Sequence, residues 1–208
     1  MKHSIIALAC AATALTVQAQ EAAAPAPTRD LPDNVPGISM TTNLSWFEID
    51  PGVRTYLILL IANTMELSAA LPDCGVAPTP EQEFDLMQKV VDNTPLDSLT
   101  GEYRQYVEES NVINHKIIDV LKAEKPTNVA GVMAVRNRYK SEIDALNTKY
   151  PEAGKYFNED AQIMISLMLM RETEIQRVTI QAAMAGKNQQ ETMKTVVEHL
   201  RRVAADQQ

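Results

Sequence analysis

Apolar residues recur at the spacing of one helix face along most of this chain. Between residues 52 and 71 a mainly apolar stripe steps by three and four positions, as one face of an α-helix does, through Val53, Leu57, Leu60, Thr64, Leu67 and Leu71. The run 56–62 is apolar on every side, which predicts a helix that is buried on most sides. This run is too short to span a bilayer, which takes about 20 apolar residues.

Five further segments carry the same periodicity, and each is bounded by glycine, proline or a capping residue. They predict helices over 80–92, 102–124, 128–150, 158–185 and 189–205. The pattern therefore predicts an all-α fold, a single bundle of five to six helices.

The helix predicted over 158–185 changes character along its length. Its first half is apolar on all sides, and its second half is amphipathic. One stripe at heptad spacing joins the two halves: Met164, Met168, Arg171, Ile175, Val178, Ala182 and Ala185.

The first 19 residues carry the pattern of a secretory signal peptide. Lys2 precedes an apolar stretch over 4–17, and Val17 and Ala19 are suited to the positions that a signal peptidase reads. We expect cleavage after Ala19 and a periplasmic or secreted mature protein. The alternatives are a membrane anchor, for which the stretch is too short, and a lipoprotein modified at Cys10, before which the apolar run is too short.

Residues 20–40 are rich in proline and alanine. Each of Pro25, Pro27, Pro32 and Pro36 removes a backbone donor and restricts the residue before it, which disfavours helix and sheet. We interpret the segment as an extended linker, either an inert spacer or a means of holding the domain away from what binds the N-terminus. The helical domain is then expected over 41–208.

Residues 43–50 lack a helical signal and hold the sole tryptophan. We interpret them as an extended lead-in that packs Trp46 and Phe47 against the bundle, since most tryptophans are largely buried. The alternative is a docking segment with an aromatic anchor. Asn43-Leu44-Ser45 also matches a glycosylation acceptor, which matters in a eukaryotic source.

The mature chain is acidic. Loss of Lys2 reduces 19 basic residues to 18 against 27 acidic ones, a net charge of −9. This charge repels phosphate backbones and anionic headgroups, and the longest basic cluster is Arg201-Arg202. We therefore expect no nucleic-acid partner, and no transmembrane segment after signal cleavage.

Cleavage leaves one cysteine, Cys74, between the first two predicted helices. A zinc site or a thioredoxin-like motif requires a second nearby cysteine. Because an odd thiol is hazardous outside the cell, we expect Cys74 to be buried, with a disulfide-linked homodimer as the alternative.

The two mature histidines lie off the apolar stripes. His115 shares a helix face with Glu108 and Asp119, and His199 shares one with Thr195. His115 and Asp119, one turn apart, are the best metal candidates, but a di-iron bundle needs Glu-x-x-His pairs that this chain lacks. We interpret both histidines as solvated and predict no metal site and no cofactor.

Three methionines, Met164, Met168 and Met170, crowd one predicted helix, and thioethers suit Cu(I). Their neighbours are isoleucine and leucine, so methionine as core filler explains them better. Neither a nucleophile elbow nor a glycine-rich phosphate loop occurs in the chain. The sequence assigns no catalytic residue, and an enzyme is disfavoured.

Arg136 and Arg171 fall within apolar stripes. We expect each stem to pack while its guanidinium reaches water. The alternatives are burial beside a carboxylate such as Glu66 or Glu174, and joint binding of an anionic ligand between helices.

These patterns favour an exported helical protein that acts by binding a protein partner, chaperone-like or envelope-associated and non-catalytic. A homo-oligomer is compatible with them. The main alternative is a carrier of an apolar small molecule within the bundle, and a metal protein or an enzyme is the next.

Overall fold

In the computed structural model, which describes residues 45–71 and 78–207, every regular element is helical. The all-α prediction is confirmed, with no strand among those residues. Within them nine α-helices follow one another: α1 (Pro51–Ala69), α2 (Pro80–Asp92), α3 (Gly101–Glu124), α4 (Val129–Asn137), α5 (Lys140–Lys149), α6 (Pro151–Phe157), α7 (Glu159–Glu172), α8 (Ile175–Met184) and α9 (Gln189–Ala205). Two 3-10 helices, Trp46–Glu48 and Leu96–Ser98, precede α1 and α3.

Several predictions concern other parts of the chain. The signal peptide (1–19), the linker (20–40), the glycosylation acceptor at Asn43 and the thiol of Cys74 lie outside the described residues. They stay predictions.

The first long helix, α1, is buried on most sides, as its sequence predicts. Val53, Ile58 and Ala62 are completely inaccessible to solvent. α9 packs along α1, and α2 packs against both α1 and α3. No helix of the described residues is long and apolar enough to cross a membrane.

The helix ends follow the capping signals in the sequence. Thr79 and Gln82 form a capping box on α2, and Asn188 and Glu191 form one on α9. Asn158 caps α7 by accepting from the Ala161 amide at 2.8 Å. These side chains satisfy backbone donors that the first helical turn leaves without a partner.

Two of the predicted helices are broken in the structure. The helix predicted over 128–150 divides at Arg138 and Tyr139, where the Tyr139 amide bonds to the Arg136 carbonyl at 3.0 Å in a tighter turn. The Arg138 guanidinium binds both carboxylate oxygens of Glu124, at 2.6 and 2.9 Å. The bend allows both α4 and α5 to pack against α3, so tertiary contacts override a continuous helical pattern.

The short helix α6 was not predicted. In the sequence, Pro151 and Gly154 suggest a break between helices. In the structure Pro151 occupies the first turn of α6, where a backbone N–H would have no partner within the helix, so its absence costs no hydrogen bond. Gly154 is buried, and a Cβ at that position would lie 3.2 Å from the Asn147 carbonyl. The glycine therefore permits close packing of α6 on α5.

The lead-in segment differs from its prediction in two ways. Residues 46–48 form a 3-10 helix rather than an extended segment, closed by a bond of 2.9 Å from the Ser45 amide to Glu48. Trp46 is buried at 3% exposure, as expected, but Phe47 is 76% exposed. In a helical turn consecutive side chains point in different directions, so both aromatics cannot face the bundle.

Candidate docking surface

The helix α8 exists as a separate element because the chain bends immediately before it. Thr173, which is buried, donates its hydroxyl to the Leu169 carbonyl at 2.6 Å. Glu174 follows in the left-handed region, at φ 51. A non-glycine residue in that conformation ends an α-helix, so the predicted helix over 158–185 becomes α7 and α8.

One side of α8 belongs to the core. Ile175 and Ala182 are buried, Val178 is half-buried, and the helix packs against α9. These three residues lie on the heptad stripe predicted from the sequence. Arg171 and Ala185 belong to the same predicted stripe but are exposed, because the bend between α7 and α8 interrupts the regular helix.

The opposite side of α8 is apolar and exposed. We call it the outer face of α8, made of Gln176, Ile180, Ala183 and Met184, which share one side of the helix. The exposed fraction of Ile180 is 56% and that of Met184 is 83%. Within the described residues, the other large exposed apolar side chains are Phe47, Val112 and Val129, each on a different element. The outer face of α8 is thus the helix face on which two of them lie one turn apart.

One charged residue lies on the same side of α8 as Ile180 and Met184. The one charged residue within α8, Arg177, is paired with Glu174 and also contacts Gln181 at 3.4 Å. The hydrogen bond from Arg177 lowers the pKa of Glu174. At the other end Lys187 donates to the Thr195 hydroxyl at 2.6 Å. What this face offers a ligand is apolar contact beside one cation that is already paired.

The polar cluster where α3 meets α5 and α6 has a different character. The Tyr106 hydroxyl donates to Asn147 at 2.8 Å, and the Tyr150 hydroxyl donates to Glu109 at 2.6 Å. Lys149 and then Tyr150, through their hydrogen bonds, lower the pKa of Glu109, whereas burial raises the pKa of Tyr106 to about 12. These groups bind one another across the helices, so we interpret the cluster as structural.

The two histidines are less solvated than the sequence suggests. Nδ1 of His115 lies 2.6 Å from Gln88 Nε2, and its Nε2 lies 3.5 Å from Asp92, so α2 covers part of the ring. His199 Nε2 lies 2.7 Å from the Thr173 carbonyl, at the bend between α7 and α8. Sequence spacing within one helix cannot reveal partners on another helix. The described residues contain no group of three or more histidine, cysteine or acidic side chains that could hold a metal.

The arginines on apolar stripes are also placed by the structure. The Arg171 side chain is 66% exposed and pairs with Glu172 at 2.7 Å, so its charge reaches water. Arg136 is half-buried on α4. The suggested carboxylate partners are engaged elsewhere, Glu66 with Arg201 and Glu174 with Arg177.

The methionine-rich half of α7 contributes to the core. Met168 is buried beside Ile165 and Leu169, and Met164 is half-buried against the same cluster. These contacts agree with methionine as a filler of apolar space.

The outer face of α8 was missed in the sequence, although a signal for it existed. Ile180 and Met184 are large apolar residues one turn apart that fall off the predicted stripe. Apolar residues on both sides of an amphipathic helix predict either burial on both sides or an exposed patch, and only the packing separates these outcomes.

Comparison with known proteins does not assign this chain to a family. No family model matches the chain, and neither the curated proteins nor the solved structures contain a significant match.

Proposed function

We propose that this is an exported helical protein that acts by binding a protein partner through the outer face of α8. The observation that carries the proposal is the exposure of Ile180 and Met184, one turn apart on one face of α8. Leaving such side chains in water forgoes roughly 25 cal/mol for each Å² of apolar surface that a partner would cover.

The chemistry of the face fits protein contact. Methionine is flexible and polarizable, which suits it to binding surfaces that adapt to their ligands. Ile180 and Met184 supply an apolar centre, and Gln176 supplies a polar edge. An apolar centre with a polar rim is typical of a protein–protein interface. Export is supported by the signal-peptide pattern at residues 1–19.

Site-specific photo-crosslinking in the producing cells tests the proposal. A photoreactive phenylalanine analogue at position 184 is expected to give discrete crosslinked products that mass spectrometry identifies. The same analogue at position 112 is the control, since Val112 is also exposed but lies on α3. Equal products at both positions, or none at 184, would contradict the proposal.

The carrier of an apolar molecule remains the second hypothesis, and it places the ligand inside the bundle near Met164 and Met168. Native mass spectrometry of the purified protein would reveal a retained lipid or other apolar ligand. The mass of the bare mature chain under gentle ionisation would argue against this function.

A further inference from the structure

We propose that Met184 is the methionine at which the folded protein is oxidised, reversibly, to methionine sulfoxide by a peroxide or a hypohalous acid. This modification goes beyond the proposed function, because it requires only that the Met184 sulfur be open to solvent and not that a partner binds α8. It follows from the exposure of this side chain, from the small or exposed residues beside it, and from the burial of other methionines.

Exposure distinguishes Met184 from the other methionines of the described residues. Its exposed fraction is 83%, whereas that of Met193, on the next helix, is 4%. The remaining six are buried or half-buried: Met65, Met87, Met133, Met164, Met168 and Met170. Because oxidation depends on access to the sulfur, an oxidant in solution reaches Met184 first.

Met184 stays exposed because its neighbours along the chain are small or exposed themselves. It is the last residue of α8, and every residue from 183 to 188 is exposed. Alanines flank it on both sides, and Gly186 follows at φ 75, a conformation that suits glycine. One turn earlier, Ile180 is itself 56% exposed. The side chain that packs into the core at this end of α8 is Ala182, so the thioether remains in water.

A methionine sulfur in this position reacts without a catalytic group. The sulfur lone pair attacks one oxygen of hydrogen peroxide, and an S–O bond forms as the O–O bond breaks. The proton of the attacked oxygen passes to the departing hydroxide, which leaves as water. The sulfur loses two electrons and the peroxide gains them. Methionine sulfoxide reductases, one for each epimer at sulfur, reverse the change: two thiols become a disulfide, and the oxygen leaves as water.

The fold should tolerate this modification. A sulfoxide disrupts a core when it forms on a buried methionine, but the oxygen added at Met184 enters water. We therefore expect the urea midpoint of the protein oxidised at Met184 to equal that of the unmodified protein. One consequence does rest on the proposed function: the sulfoxide places a polar group on the outer face of α8, which weakens apolar contact with a partner.

Peptide mapping by mass spectrometry, after hydrogen peroxide is added to the purified protein, tests the proposal. Trypsin releases Met184 and Met193 as the single methionines of peptides 178–187 and 188–194, so each rate is measured on its own peptide. In the folded protein we expect Met184 to be oxidised at least about tenfold faster than Met193. In concentrated urea both side chains are exposed, and the two rates should become similar. Equal rates in the folded protein would overturn the proposal.

The substitution Met184→Leu is the matched control, because leucine keeps an apolar side chain and removes the sulfur. It should abolish the fast oxidation and leave the helical circular dichroism signal unchanged. Treatment of the oxidised wild type with both reductases should restore the unmodified peptide 178–187. A fast phase that persists in Met184→Leu, a sulfoxide that the reductases do not remove, or a lowered urea midpoint after oxidation of Met184 would each contradict the inference.

The proposed function is tested separately from this modification. Fast oxidation of Met184 in the purified protein, without crosslinked products at position 184 in the producing cells, would contradict the proposed function and leave the oxidation site standing. Slow oxidation of Met184 in the purified protein would overturn the oxidation site even where crosslinked partners are found.

Discussion

At the scale of single residues, two contacts join parts of the chain that are distant in sequence. His199 on α9 binds the Thr173 carbonyl where α7 gives way to α8. Glu109 on α3 accepts from both Lys149 and Tyr150 at the junction of α5 and α6. Each contact fixes one bend of the bundle, and each lends itself to a direct test.

Removal of the His199 ring should cost stability. His199→Ala leaves the Thr173 carbonyl without its side-chain partner, and a lost hydrogen bond of this kind costs about 1 kcal/mol. Urea unfolding at pH 7 measures the difference. Lys194→Ala, on the exposed side of the same helix, is the control and should change the free energy of unfolding by less than about 0.5 kcal/mol. Equal effects of the two substitutions would contradict a structural role for the ring.

The Glu109 carboxylate should contribute stability that depends on pH. Its hydrogen bonds to Lys149 and Tyr150 lower its pKa in the folded state. A group with a lowered folded pKa stabilises the protein above its unfolded pKa, and this contribution is lost as the pH falls through the folded pKa. Glu109→Gln should therefore be less stable than wild type at pH 7, and the difference should shrink toward pH 3 in urea titrations. A difference that persists unchanged at low pH would show that the charge is not its source.

At the scale of helices, the boundaries depend on local backbone conformation as much as on side-chain pattern. Two non-glycine residues, Lys125 after α3 and Glu174 before α8, adopt positive φ angles of 49 and 51. An L-residue pays a steric cost there because its Cβ approaches a neighbouring carbonyl oxygen. These two positions end their helices at a cost in stability that the surrounding packing offsets.

Substitution of Lys125 by glycine should stabilise the fold. Glycine adopts positive φ without the steric cost, which exceeds its own entropic disadvantage, so Lys125→Gly should raise the free energy of unfolding by about 0.5 kcal/mol. Lys125→Ala is the matched control, because it removes the same 3.4 Å contact with Glu81 and keeps the Cβ. Thermal and urea unfolding would contradict the prediction if alanine stabilised as much as glycine.

At the scale of the whole molecule, one core connects all the helices of the described residues. It extends from Trp46 in the first 3-10 helix to Ala204 in α9, and α1 lies at its centre with contacts to α2 and α9. A continuous core of this kind predicts cooperative unfolding of the described helices.

A charge at the centre of α1 should abolish that cooperativity. Leu60 is 6% exposed, and Leu60→Asp would bury a carboxylate without a cation to pair with it. We expect loss of the cooperative transition in circular dichroism on heating. Leu60→Met, which conserves volume, should keep the transition and cost less than about 1.5 kcal/mol. A wild-type transition in Leu60→Asp would show that α1 is not central.

The proposed export of this protein leads to a prediction about the first residue of its mature form. The mature protein should begin at Gln20, since Val17 and Ala19 suit the signal peptidase. N-terminal sequencing of the protein from the producing cells measures this directly. Ala19→Leu should block processing because a large residue does not fit the cleavage site. Recovery of the functional protein with Met1 intact would refute the prediction.

The sequence by itself determined the helical class, because periodicity and capping are local properties of neighbouring residues. Thr79 with Gln82 and Asn188 with Glu191 mark two helix starts correctly, and the apolar run over 56–62 correctly implies a helix buried on most sides. Only the tertiary structure decided where the long helices bend. The contacts at the two bends, between Arg138 and Glu124 and between His199 and Thr173, join residues of different helices. It also decided that Phe47, Ile180 and Met184 face water. The identity of an apolar side chain does not specify which neighbouring residues will cover it, and these contacts are set only when the helices pack.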